Sequence, residues 1–235
     1  MSRFVGSSTT SQNGSNSFVW VIDTEVSDRT VTARFRIFAK GAYSPYYQWQ
    51  HTVYCAVGGN VLVNGRGQYP SYDAWASCNE TINGTTYKRY YELTSGSASV
   101  GNAGGSIACS FSYDVTGSAT YLPKKGTYTA SGSESIGAKT GSFNLNILNP
   151  DDSEPYSTGE AGKVYMSVNG GGYSQVYNEP ASSYVQGYRL RFKNFSPGTG
   201  RYLASTSGLS GGSGTDADPW WVDQGSSTTV TFKTG

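Results

Sequence analysis

Gly208-Leu209-Ser210-Gly211-Gly212 has the Gly-x-Ser-x-Gly form of a hydrolase nucleophile turn. Such a serine needs a strand-to-helix turn beneath it and a histidine downstream to take its proton. The sole histidine, His51, lies upstream, no helix signal follows, and the segment is rich in glycine and serine anyway. The match reads as chance. Gly211 to Asp216 opens like a calcium-binding nonapeptide repeat, but such repeats bury a core only by stacking several copies. One copy, with Asp218 where an apolar residue belongs, leaves at most a weak Ca²⁺ contact through Asp216 and Asp218. Glycoside hydrolysis takes two carboxylates a fixed distance apart. Asp23, Glu25, Asp73, Glu80, Glu92 and Asp114 are available, with no spacing that pairs them. His51 falls in the apolar row of a strand, which favours a core histidine. Neither a Walker nor a dinucleotide fingerprint occurs. The expectation is a protein that is not an enzyme and holds no cofactor or metal.

Three cysteines, Cys55, Cys78 and Cys109, cannot all pair internally and show no Cys-x-x-Cys spacing. Cys55 and Cys109 occupy inward positions of two strands, so a disulfide bridging a sandwich is one reading. Small buried thiols in a reducing compartment are the favoured one.

Aromatic residues are the remaining candidates for binding chemistry. Tyr43 and Tyr46 in "GAYSPYYQWQ", Tyr69, Tyr72 and Trp75 in "GQYPSYDAW", and Trp220 and Trp221 in "DPWW" fall in or next to expected loops. Tyr173 begins the return strand of a hairpin. Flat rings with an O–H or N–H at the edge suit sugars and protein partners alike. The competing reading is that half of them fill the interior or its rims.

These residues must be held by strands. Phe18 to Val26 alternates, with Trp20, Ile22, Thr24 and Val26 on one face, and Val31, Ala33, Phe35, Ile37 and Ala39 repeat the pattern after a turn. Period two over so many residues is the signature of a half-buried strand. Tyr47 to Val57, "VLVNGRG", Tyr87 to Leu93, Ile107 to Val115, and Phe143, Leu145 and Ile147 supply further strands. Glycine, serine and asparagine turns separate them. The pattern predicts an all-β chain, with an antiparallel immunoglobulin-like β-sandwich over residues 1–148. Residues 149–162, in "LNPDDSEPYSTGEAG", read as a linker. Residues 163–235 read as a smaller β domain of about five strands. It opens on the hairpin "KVYMSVNGGGYSQVYNEP", whose Asn169-Gly170 suits a tight turn. Tyr184 to Phe192 and Val230 with Phe232 follow, and "STSGLSGGSGTDADP" between them reads as a flexible loop.

Bulk properties narrow the class. The chain has 235 residues, a formal net charge of +1 and 14% aromatic residues, which predicts neither nucleic-acid binding nor attraction to an anionic membrane. No stretch approaches the ~20 apolar residues of a membrane span. The N-terminal segment lacks the apolar core of a signal peptide, so synthesis in a cytoplasm without general secretion is expected. Three Asn-x-Ser/Thr sequons, at Asn79, Asn83 and Asn194, then read as chance.

"SFVWVIDTEVSDRTVTARFRIFAK", the Gly/Asn-rich middle and the closing "GTYTASGSESIGAKTGSFNLNIL" resemble the minor structural, tail-associated proteins of tailed bacteriophages over roughly residues 15–148. "VYMSVNGGGYSQVYN" is similar to the strand–Asn-Gly–strand units of phage tail-fibre and baseplate proteins, with Gly172-Tyr173 where those carry Trp-Lys. The resemblance implies a virion structural protein, tail- or capsid-associated and made in the host cytoplasm. It would act through contacts with other virion proteins and with further copies of itself as a homo-oligomer. The alternative is a carbohydrate-binding module or adhesin whose loop aromatics stack on host cell-surface glycan.

Overall fold

The computed structural model of the chain describes residues 1–41, 51–67, 74–117, 120, 122–148, 164–167, 171–176, 180–185, 190–193, 203–207, 210–213, 218–222 and 227–234. Among them every long element is a strand, and the chain falls into two compact units.

The first unit comprises residues 1–100 and 104–136. One sheet has five strands: β1 (Ser2–Thr10), β2 (Ser17–Ser27), β3 (Thr30–Ala39), β7 (Thr85–Ser99) and β6 (Ala76–Ile82), in that spatial order. The facing sheet has the order β5 (Asn60–Gly67), β4 (His51–Val57), β8 (Gly105–Val115), β9 (Gly126–Ile136). Without β1, this is the immunoglobulin arrangement of strands A-B-E-D against C′-C-F-G. The alternation read from sequence supplies the layer between them. Phe18, Trp20 and Ile22 from β2, Phe35 and Ile37 from β3, and Val53, Phe111 and Tyr113 opposite are at most 2% exposed. Trp20 stacks on Tyr128 at 4.1 Å, and Phe35 meets Phe111 edge-on at 5.6 Å. Each such side chain contributes about 1.5–3 kcal/mol by leaving water. Tyr128 also donates to Lys124 O at 2.6 Å, which ties the entry of β9 to the preceding turn.

β1 has no counterpart in the sequence reading. Its "SRFVGSSTT" is too polar to alternate visibly, but it pairs with β2 and shifts register between Val5 and Ser8. The shifted half lies against β9. A side chain at Gly6 would collide with Thr129 O, Phe4 sits on Gly132, and Ser7 Oγ accepts the Thr129 N–H at 3.0 Å. The five-stranded sheet also curls. Arg3 on β1 and Glu80 on β6 form an ion pair although these strands are its two edges. Laid flat, four strand spacings would hold them about 19 Å apart. The curl creates a second apolar cluster of Val19, Val21, Phe38, Ile82 and Tyr87.

The second unit comprises residues 101–103 and 137–235. One of its sheets has the order β13 (Pro180–Val185), β10 (Thr140–Leu148), β17 (Ser227–Thr234), β15 (Leu203–Ser207), and β10 and β17 run parallel. The other has the order β12 (Tyr173–Val176), β11 (Val164–Ser167), β14 (Leu190–Lys193), β16 (Trp220–Val222). Three readings change here. The strand carrying Phe143, Leu145 and Ile147 is real, but it is β10 and pairs with β13 and β17. The first unit therefore ends at Ile136, not at residue 148. The stretch read as a flexible loop, residues 205–219, begins with the last three residues of β15 and holds Gly211, which bridges to Trp221. Among the described residues eight strands, β10 to β17, stand where about five were expected.

Candidate functional site

The hairpin of β11 and β12 forms as its alternation predicts, with Met166 opposite Ser174 and Ser167 opposite Tyr173. Ser167 also pairs with Arg191 of β14, Arg191 with Trp221 of β16, and Trp221 with Gly211. Tyr173, Ser167, Arg191, Trp221 and Gly211 thus form one row across the sheet, and members of a row share a face. The next row runs through Ser174, Met166, Phe192 and Trp220. Trp220 and Trp221 are both half-buried, but successive residues of a strand point to opposite faces. The pair read together as "DPWW" is therefore divided. Tyr173, half-buried, and Trp221 share a row and Trp220 does not.

Trp221 packs closely against Gly211. A Cβ on Gly211 would lie 2.9 Å from the indole Nε1 and 3.1 Å from both Cε2 and Cζ2, so the Nε1 edge of the ring closes over the place a side chain would take. Ser210 N–H donates to Trp221 O at 2.8 Å, Trp221 N–H to Gly211 O at 3.2 Å, and Ser213 N–H to Asp218 O at 3.0 Å. Gly212 takes φ +90 with Pro219 O close by, a conformation that L side chains rarely adopt. Of the run that mimicked a nucleophile motif, Gly211 and Gly212 lie against Trp221 and Pro219, and Gly208 and Leu209 lie outside the described residues. Ser167 is buried, and its hydroxyl donates to Gly171 O at 2.6 Å.

The other expected contacts fare differently. Tyr43, Tyr46, Tyr69 and Tyr72 lie outside the described residues, in the β3–β4 and β5–β6 connections. The strand ends that bracket them converge, since His51 pairs with Gly67 and Val115, and Ala39 and Ala76 pair with the adjacent Arg89 and Tyr90. In the immunoglobulin arrangement the B–C and F–G loops leave from this end. Trp75 is not a surface residue. It is 4% exposed, belongs to the sandwich core and tilts against Tyr91 at 5.9 Å, so it cannot reach a ligand without opening the core.

The residues with acid–base or redox potential are tied into the structure. Asp23 accepts from Arg3 Nε at 2.5 Å and from Arg36 Nη1 at 2.9 Å, and Arg36 reaches Glu92 at 2.9 Å. The hydrogen bond to Asp23 raises the Arg3 guanidinium further above its usual value, against the cost of burial. Asp114 accepts from Thr127 at 3.0 Å. His51 is buried and stacks on Tyr113 at 4.6 Å. Cys55 and Cys109 are free thiols on adjacent strands of one sheet, which rules out a bridge between sheets. Burial pushes the Cys55 thiol up to about 12 and raises Cys109 as well. Among the described residues no three His, Cys, Asp or Glu side chains cluster to hold a metal, and Asp218 is exposed. Asp216 lies outside the described residues.

No family model matches the chain, and no curated protein matches it. Among solved structures, the chain is similar to a bacterial adhesin from Mobiluncus mulieris described as containing intramolecular disulfide, isopeptide and ester bond cross-links. One crystal form aligns over 100% of this chain and 99% of the adhesin at 10% identity and a TM-score of 0.47. A second aligns over 87% and 90% at 11% identity and a TM-score of 0.45. The present chain is an all-β protein whose first unit is an immunoglobulin-like sandwich.

Proposed function

We propose that the chain is an attachment protein that works by binding and not by catalysis, with the sandwich as a rigid mount and the second unit as the contact element. The observation that carries this reading is the row in which half-buried Tyr173 and Trp221 share one face of a four-stranded sheet. Among the described residues of the first unit, the large rings Trp20, Phe35, Trp75, Phe111 and Tyr113 are buried and serve packing. The resemblance of residues 15–148 to tail-associated phage proteins supports a virion as the carrier. On that carrier, neighbouring virion proteins and further copies of the chain hold it in place, and the target is glycan on a host cell surface.

Assembly through the edges of the sandwich has less support. β1 covers β9, the Arg3–Glu80 ion pair draws β1 and β6 together, and β5 shifts register opposite Cys55 and Ala56. Such irregularities blunt an edge against strand addition. Large apolar side chains exposed among the described residues are scattered: Met1, Val26, Tyr54 and Val61.

The test is adsorption of the intact labelled chain to a panel of purified bacterial cell walls. Saturable adsorption to some walls, lost in the Tyr173→Ala/Trp221→Ala double variant at unchanged melting temperature, is expected. Failure to adsorb to any wall, or adsorption indifferent to the double substitution, overturns the reading.

A further inference from the structure

We infer that Asn83, at the tip of the β6–β7 hairpin, is a site of spontaneous deamidation, and that its conversion loosens the curl of the five-stranded sheet. An asparagine followed by glycine is open to attack on its side-chain amide by the next backbone nitrogen, because glycine has no side chain to hinder the approach. Four such steps occur in the chain, and Asn169-Gly170 lies outside the described residues. The fold treats the other three differently. At Asn13 the amide oxygen accepts from Ser11 Oγ at 2.8 Å, from Ser15 N–H at 3.1 Å and from Ser15 Oγ at 2.7 Å. The attacking group there, Gly14 N–H, donates to Ser11 O at 3.0 Å. Asn64 and Gly65 stand inside β5, opposite Tyr54 and Val53 of β4. Asn83 and Gly84 instead form the turn between the paired Ile82 and Thr85, with φ +47 and +77. A tight hairpin turn demands positive angles at both positions, and Asn-Gly supplies them readily. Both residues are exposed, and among the described residues no hydrogen bond holds the Asn83 amide or the Gly84 N–H. Ring closure requires Asn83 to leave the turn conformation. At the tip that rotation gives up the turn alone, whereas at Asn13 it breaks a set of hydrogen bonds and at Asn64 it opens a strand pairing.

The Gly84 nitrogen attacks Asn83 Cγ, a bond forms between them, and the bond from Cγ to the amide nitrogen breaks. The departing nitrogen takes up the Gly84 proton and leaves as ammonia. Water then opens the cyclic imide. Opening at Cγ yields aspartate; opening at the main-chain carbonyl yields isoaspartate, which adds a carbon to the main chain. The longer turn no longer fits between Ile82 and Thr85. Ile82 and Tyr87 belong to the second apolar cluster, and Glu80 on the same hairpin holds Arg3 of β1. Conversion therefore acts on the closure between β6 and β1.

Incubation of the intact chain at mildly alkaline pH, below its melting temperature, followed by peptide mapping, tests this. Trypsin separates the three asparagines, since it cuts at Arg29 and Arg66. Asn83 is expected to convert first, about tenfold faster than Asn13 or Asn64, the ratio that ~1.4 kcal/mol of extra opening cost produces. In urea the three should convert at similar rates, because the fold sets the order. Conversion of Asn13 or Asn64 as fast as Asn83 in the folded chain overturns the site. So does an Asn83 that leads by the same ratio in urea, or one that converts only there. The isoaspartate form should melt below an Asn83→Asp variant, which carries the new charge on an unaltered main chain. Equal melting of the two overturns the link to the curl.

Discussion

Asp23 has no solvent-exposed side-chain surface, and it meets Arg3, which is 31% exposed, and Arg36, which is 13% exposed. A charge so placed is tolerated because guanidinium groups replace the water it lost, and breaking one side of such an arrangement strands the other. Asp23→Ala is therefore expected to cost on the order of 3–5 kcal/mol, chiefly by leaving Arg36 buried beside Glu92 alone. Arg3→Ala should cost less, because Arg3 is the more exposed partner. Urea unfolding of both variants checks the order, and an Asp23→Ala variant as stable as the parent would refute it. The sequence places Asp23 in an alternating strand but cannot say that two arginines, 20 residues before and 13 after, converge on it. The same limit hides the fate of Trp75. Its neighbourhood reads as a loop, and only the contact with Tyr91 shows that it completes the core.

At the scale of elements, Glu134 of β9 ties together two strands of the facing sheet, accepting from the Thr24 hydroxyl of β2 and from Ser2 at the start of β1. Hydrogen bonds from Thr24 and then Ser2 hold the Glu134 carboxyl below the usual glutamate range. A carboxyl depressed in the folded state stabilises fully above its unfolded value and loses that contribution as pH falls through the folded value. Glu134→Gln should therefore melt below the parent at neutral pH. The gap should narrow as pH drops below about 4.3, the ordinary glutamate value. A gap that stays constant with pH would show that the carboxylate charge plays no part. β1 escapes sequence reading because a strand that crosses from one sheet to the edge of the other needs small residues where it passes. Gly6 meets Thr129, Phe4 meets Gly132, and the Ser7 hydroxyl accepts from the Thr129 N–H. These choices erase the alternation that marks β2 and β3.

For the molecule as a whole, the boundary between units decides how it can be divided. A chain ending at Ile136 should unfold in one cooperative transition. A chain ending at Leu148 would carry β10 without β13 and β17, leaving Phe143, Leu145 and Ile147 without their strand partners. The longer fragment is expected to be the less soluble, which sedimentation of both fragments would measure; the reverse order would return β10 to the first unit. Sequence by itself determined that the chain is all-β, that β2, β3, β4 and β8 each turn an alternating apolar row into the sandwich, and that a hairpin opens near Val164. Each of these rests on period-two alternation and turn residues, which act within a few positions of the chain. It also offered Tyr43, Tyr46, Tyr69, Tyr72, Trp75, Tyr173, Trp220 and Trp221 as candidate contacts, without saying which of them the fold would bury. Tertiary structure alone decided which sheet receives β10, that Cys55 and Cys109 sit on adjacent strands of one sheet, two residues out of register, and that Trp221 shares a row with Tyr173 while Trp220 does not. Those outcomes depend on which distant strands pair and in which register. A shift of one residue in register turns every side chain to the other face, and nothing local to the strand reports it.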